Sequence, residues 1–148
     1  MPIALVVVFW WVWLGAGPAW AMLGLPEDSV LTDQQALQAQ RRTITHDGYG
    51  VEYLEAADGT VVREYVSPAG LVFGLAWQGP TVPDLAQLLG AYFPEYQDAL
   101  HASGPHRGPW RVQTDDLVVE LRGHMGAFSG RAYVPSFVPP PLTPEMIQ

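Results

Sequence analysis

The chain of 148 residues has no cysteine. That excludes disulfides, thiol catalysis, zinc ribbons, iron–sulfur clusters and a lipoprotein anchor. Lysine and asparagine are missing too, so all 7 basic residues are arginine. Without asparagine there is no N-glycosylation sequon. Arginine in place of lysine suits planar, bidentate recognition. The simpler source is a G- and C-rich genome, because lysine and asparagine have A-rich codons. Positive charge is scarce: 7 arginines face 15 acidic residues, for a net charge of −8 and a pI near 4.7. Such a chain repels phosphate backbones and anionic lipid, which excludes nucleic-acid binding as a function class. The length allows one domain with tails. It suffices to bury roughly two thirds of the unfolded surface without covalent staples.

An uncharged apolar run, Ile3 to Ala16, opens the chain and contains Trp10, Trp11 and Trp13. Gly15, Gly17 and Pro18 break any helix, and Ala19-Trp20-Ala21 supplies small residues at the −3 and −1 positions of a signal-peptidase site. The pattern predicts a secretory signal over residues 1–21, cleaved after Ala21. The mature chain is then periplasmic or extracellular, with no stable membrane insertion. Only the Met1 amine supplies positive charge ahead of the run. A retained anchor is the rival reading, since the uncharged stretch continues to Leu25 and roughly 20 residues span a bilayer. The Gly-Pro break before small-x-small favours cleavage.

Residues 22–40 are polar with weak periodicity and read as a linker or short helix. Arg41 to His46 reads as a short edge strand. A three-stranded meander follows: Val51 to Ala56, Thr60 to Val66 and Leu71 to Trp77. Asp58-Gly59 predicts a two-residue type I′ hairpin, and Pro68-Ala69-Gly70 a three-residue loop with Gly70 left-handed. Leu71, Phe73, Leu75 and Trp77 alternate with smaller residues, predicting a bulky core face. Thr81 and Asp84 have capping-box spacing, and Leu85, Leu88, Leu89, Tyr92, Tyr96 and Leu100 follow helical spacing. Pro94 predicts a kink, or two helices joined near Phe93, and Ser103-Gly104-Pro105 a stop. Trp110–Thr114 and Leu117–Arg122 form a hairpin in which Trp110 faces Leu121, Val112 faces Val119 and Arg111 faces Glu120. A last strand, Ala127 to Val134, sends Phe128 and Ala132 to one side and Arg131 and Tyr133 to the other. Residues 135–148, with prolines at 135, 139, 140, 141 and 144, predict an extended or unpacked tail. The expected fold is α+β: an antiparallel sheet, made of a three-stranded meander and a later hairpin or meander, with one kinked helix packed on it. The domain spans 41–134.

Four runs carry a family resemblance: Thr60 to Gly70, Val72 to Pro80, Pro83 to Phe93 and Gly123 to Tyr133. They resemble the bacterial domain-of-unknown-function family numbered 2844, over about residues 22 to 138. The resemblance implies a small exported protein of Gram-negative bacteria. It implies no activity, ligand or catalytic residue.

His46, His101, His106 and His124 include no pair at i, i+4 spacing on one helix, so no metal set is assigned. Ser129 in Gly126-Ala-Phe-Ser129-Gly130 lies in a strand, not at a nucleophile elbow. Asp115-Asp116 suits a turn. Tyr92, Tyr96, Trp77 and Trp110 read as core aromatics before they read as a ligand platform. Gly123-His124-Met125-Gly126 is the best exposed loop, with His124 and Met125 offering polar and soft contacts. Arg63, placed by the expected register on the face of Phe73, Leu75 and Trp77, is expected to pair with Glu52. The candidate binding residues are therefore His124, Met125, Arg63, Glu52 and Trp77, with no catalytic residue and no cofactor. The leading expectation is an envelope protein that binds or helps assemble another envelope protein or surface component. The alternative is a small periplasmic hydrolase built from His124, His101 and an acid.

Overall fold

The computed structural model describes residues 23–105 and 108–148. The expected signal segment and His106 lie outside them. Seven strands form one antiparallel sheet: β1 (Gln40–His46), β2 (Tyr49–Glu55), β3 (Val61–Val66), β4 (Val72–Gly79), β5 (Trp110–Gln113), β6 (Val118–His124) and β7 (Ala127–Tyr133). Their spatial order is β1-β2-β3-β4-β7-β6-β5. The helices are α1 (Val30–Ala36), α2 (Leu85–Leu89) and α3 (Phe93–Ser103).

This corrects the expected α+β arrangement of a three-stranded meander, a separate hairpin and one kinked helix. β1 pairs with β2 along its whole length, so the meander has four strands. β7 then pairs with β4, joining both halves into one long sheet that dominates the molecule. The helical segment is broken, not bent. α2 stops at Gly90, which takes φ 51°, and a 3-10 turn covers Gly90–Tyr92. Pro94 stands in the first turn of α3, where a missing N–H costs no helical hydrogen bond. Asp84 alone caps α2, accepting from the Ala86 and Gln87 amides at 2.9 and 3.3 Å. Thr81, expected as the cap, donates to Asp58 Oδ2 at 2.7 Å instead.

Two one-residue differences reset the register of the meander. Asp58-Gly59 is not a two-residue turn. The Ala56 amide bonds the Thr60 carbonyl, and only Gly59 is left-handed, at φ 86°, so the loop is Ala57-Asp58-Gly59. The second difference is a bulge. Tyr65 faces Gly74, yet Val66 faces Val72, which leaves Phe73 as an extra residue in β4. Phe73 therefore packs with Tyr65 and Ile147, away from Leu75 and Trp77. Arg63 falls opposite Tyr53 and Ala76, on the face opposite the one expected. The Pro68-Ala69-Gly70 loop and the whole β5–β6 register match expectation.

Both faces of the sheet are covered. On one, Leu54, Val62, Leu75, Trp77 and Val119 pack against Leu23, Val30, Leu88, Leu89 and Tyr96. Residues 23–40, expected as a linker or short helix, do hold a short helix, α1, and belong to the fold where the domain was expected to begin only at 41. Their backbone is tied in as well: the Gly24 amide bonds the Val72 carbonyl at 2.8 Å. On the other face lie Val51, Tyr65, Phe73, Ala76, Val118 and Tyr133, covered by Phe137, Val138, Leu142 and Ile147. The expectation of an unpacked tail is corrected here: residues 135–148 form a strap. Burial of its apolar side chains offsets the cost of ordering a proline-rich chain, whose backbone freedom is already restricted. Ile147 is 1% exposed, and its Cδ1 lies 2.6 Å from where a Cβ on Gly74 would stand. Only glycine at 74 leaves that seat open.

Removal of residues 139–148 should therefore cost more than about 2 kcal/mol, and Ile147→Ala about 2–4 kcal/mol. Leu31→Ala, at a position 49% exposed, should cost under about 1 kcal/mol. Urea denaturation of the three variants checks this. A truncated chain with unchanged stability would show that the strap is not part of the fold.

Candidate functional site

The strap covers the sheet incompletely. Beside it, a groove of about 500 Å³ opens over β3, β4, β6 and β7. Strand alternation decides what it contains. Gln78, Glu120, Arg122, Ser129 and Arg131 project from this face because each sits across from another in the ladder or two residues along from it, and Arg63 joins them because it faces Ala76, which faces Arg131. Glu145, Ile147 and Gln148 of the strap form the remaining wall.

Glu120 organises the charge here. Arg131 Nε donates to its Oε2 at 2.7 Å, and Arg111 Nη1 donates to its Oε1 at 2.6 Å. Arg122, largely exposed, stands 4.0 Å away. The Arg131 bond, outweighing burial, holds the Glu120 carboxyl below its ordinary range, with the charges of Arg131, Arg111 and Arg122 adding to the effect. Arg131 also donates Nη1 to the Pro144 carbonyl at 2.8 Å, tying the strap to β7. At the end of the strap, the Tyr65 hydroxyl bonds the Gln148 carbonyl at 3.0 Å. The groove walls are thus fixed by charge-assisted bonds from a rigid sheet.

Arg63 is the exception. It is half-buried, and its Nε is covered and without a hydrogen-bond partner. Every other arginine among the described residues has a charge or ring partner: Arg41 pairs with Glu52, Arg42 lies over the Tyr53 ring, and the remaining three pair with Glu120, Arg122 at 4.0 Å.

The structure separates the other expected site residues. The Arg63–Glu52 ion pair is not formed, because the three-residue Ala57-Asp58-Gly59 loop shifts the β2–β3 register by one, so that Arg63 faces Tyr53 and Glu52 lies on the opposite face. Glu52 instead accepts from Arg41 Nε and Thr43 Oγ1, each at 2.8 Å, from its neighbour strand β1. Trp77 contributes to the floor of the groove but is wholly buried, its side chain packed in the core beneath the helices. Met125 is 92% exposed, in a two-residue turn shorter than the four-residue loop expected, and His124 Nδ1 lies 3.2 Å from the Met125 carbonyl. His101 ends α3, and His46 stacks on Tyr49 at the far edge of the sheet. No described histidine forms an ion pair with a carboxylate, and no described cluster of His, Asp and Glu suits a metal.

A second polar feature lies under the helices and has no signal in local sequence. Asp33 of α1, Glu64 of β3 and Glu52 of β2 are each 1% exposed. Gln87 of α2 donates to Asp33 Oδ1 at 2.8 Å, Glu64 Oε1 is buried without a partner, and the Asp33 and Glu64 carboxyls are neighbours that can bond each other through one retained proton. Two carboxylates cannot share that bond unless one is protonated. Burial pushes Glu64 far up, with the Asp33 bond and the Asp33 and Glu52 charges adding to the rise. Burial raises Asp33 as well, against the bonds from Glu64 and Gln87. Burial also acts upward on Glu52, but the bonds from Arg41 and Thr43 outweigh it and hold that group down. At 1% exposure the pair meets no substrate; it is a joint between α1, α2 and the sheet.

The retained proton has a stability consequence. Between the ordinary carboxyl range near 4.5 and the raised native value, the folded state holds a proton that the unfolded state has lost. Stability present below that range is therefore lost as pH rises, at up to about 1.4 kcal/mol per pH unit. The lowered groups, Glu52 and Glu120, act in the opposite sense and lose their contribution only as pH falls below it. Glu64→Gln, neutral at all pH, should flatten the profile of Tm against pH above the ordinary carboxyl range and raise Tm at its upper end. A wild-type profile as flat as that of the variant would contradict a shared proton.

Comparison with curated proteins and with solved structures gives no match. A family profile, described as protein of unknown function (DUF2844), matches residues 19–147. With nearly all of the fold inside that match, strap included, the chain belongs to this family of proteins of unknown function.

Proposed function

We propose that this chain is an exported envelope protein, cleaved after Ala21, that works as a non-catalytic binding or assembly module through the groove beside the strap. Export rests on the apolar run, the Gly-Pro break and the small residues at 19 and 21. Binding rests on one observation above the rest: Arg63 is a half-buried cation with no partner, in a groove whose other cations are all paired. A buried charge left unpaired is costly, and sites that hold such a group commonly recover the cost from a ligand. The groove size lies within the range of small-ligand sites, and its walls are preformed. The partner is another envelope protein or a surface component.

N-terminal sequencing of the exported protein should begin at Met22. A retained 1–21 segment in the membrane pellet would replace secretion with anchoring. In a thermal-shift screen against soluble envelope components, any ligand that raises Tm should lose its effect in the double variant Arg63→Gln/Arg122→Gln. Stabilisation that persists there would place the binding site elsewhere.

A further inference from the structure

The groove also carries information about what it takes. Its charged walls are Arg63, Arg122 and Arg131 against Glu120 and Glu145, a net of one positive charge in a chain that is otherwise strongly acidic. Glu120 occupies Arg131 and draws on Arg122, so the one guanidinium left to a ligand is Arg63. With its Nε covered, Arg63 offers the terminal Nη1–Nη2 edge, which matches a carboxylate that accepts two parallel hydrogen bonds. A phosphate dianion fits poorly: it would find one free cation, and it would face Glu145 and Glu120. Glu145, which stands outside the Glu120–arginine cluster, favours a ligand that carries a positive group as well. Gln78, Ser129 and Gln148 add amide and hydroxyl partners of the kind that a peptide bond requires. A volume of about 500 Å³ exceeds that of a single ion and accommodates a molecule of short-peptide size.

We propose that Arg63 receives the free carboxylate of a short peptide or similar small zwitterion, and that the groove's acidic wall at Glu145 takes the ligand's cationic end. This rests on the reading of the groove as a binding site, and names the class of ligand for it.

Calorimetric titration of the purified exported protein tests it, with three probes: glycylglutamine, its C-terminal amide, and inorganic phosphate. Glycylglutamine should bind with a millimolar or tighter Kd, and the amide and phosphate about tenfold or more weakly. Arg63→Gln should weaken glycylglutamine about tenfold, and Arg63→Lys, which keeps the charge and loses the fork, by an intermediate factor. Arg122→Gln should change it less than about threefold, because that side chain is already engaged by Glu120. If Arg63→Gln does not fold, Arg63→Lys carries the comparison. No binding of glycylglutamine, equal binding of its amide, tighter binding of phosphate, or indifference to both Arg63 variants would each overturn the assignment. Binding of the amide that both Arg63→Gln and Arg122→Gln weaken would overturn the carboxylate while keeping the groove as the binding site. Binding that no groove variant changes would overturn both.

Discussion

A side chain seated where another is missing organises the second face of this sheet. β4 is central and buried on both sides from Val72 to Trp77, so its outward face needs a cover that the helices, committed to the other face, do not provide. Gly74 leaves a notch there, and Ile147 fills it. Once Ile147 is anchored, the Pro144 and Ile147 carbonyls lie over Arg131, the end of the strap meets Tyr65, and one wall of the groove exists. The prolines of the segment restrict the unfolded chain, so less entropy is lost in holding it down.

Charge is distributed in two different ways on the two faces. Under the strap, Glu120 is ionised and gathers arginines, a geometry in which buried charges compensate one another. Under the helices, Asp33 and Glu64 escape the same cost by keeping a proton, while Glu52 keeps its charge by pairing with Arg41. Arg63 follows neither pattern, and this is why it, and not the exposed His124–Met125 turn, carries the proposal of a binding face. An exposed turn costs nothing to leave empty; a half-buried guanidinium does.

Sequence patterning was sufficient where two independent constraints agreed. In the β5–β6 hairpin the apolar pairs Trp110–Leu121 and Val112–Val119 require the same register as Arg111–Glu120, and the structure has it. The β2–β3–β4 region had only turn chemistry to fix it. Asp58-Gly59 satisfies a two-residue turn and a three-residue loop equally well, and the two differ by the one residue that reverses a face. The bulge at Phe73 is invisible locally, since Leu71, Phe73, Leu75 and Trp77 alternate without a break. What selects it is tertiary: Phe73 packs with Tyr65 beneath the strap. Composition likewise marked the tail as extended, which it partly is, but could not show that a glycine 73 positions earlier provides its seat. The Asp33–Glu64 joint needs contact between an element read only as a linker or short helix and a strand of misassigned register, so neither half pointed to the other.

The claim on which the groove depends is that Ile147 and Gly74 occupy one space, and a double-mutant cycle measures it. Gly74→Ala in the natural chain should cost about 1–3 kcal/mol by overpacking against Ile147. In the Ile147→Ala background the added methyl has room, so the same substitution should cost at least about 1 kcal/mol less. Additive costs, equal within about 0.5 kcal/mol, would show that the strap does not sit over Gly74 and would contradict the account.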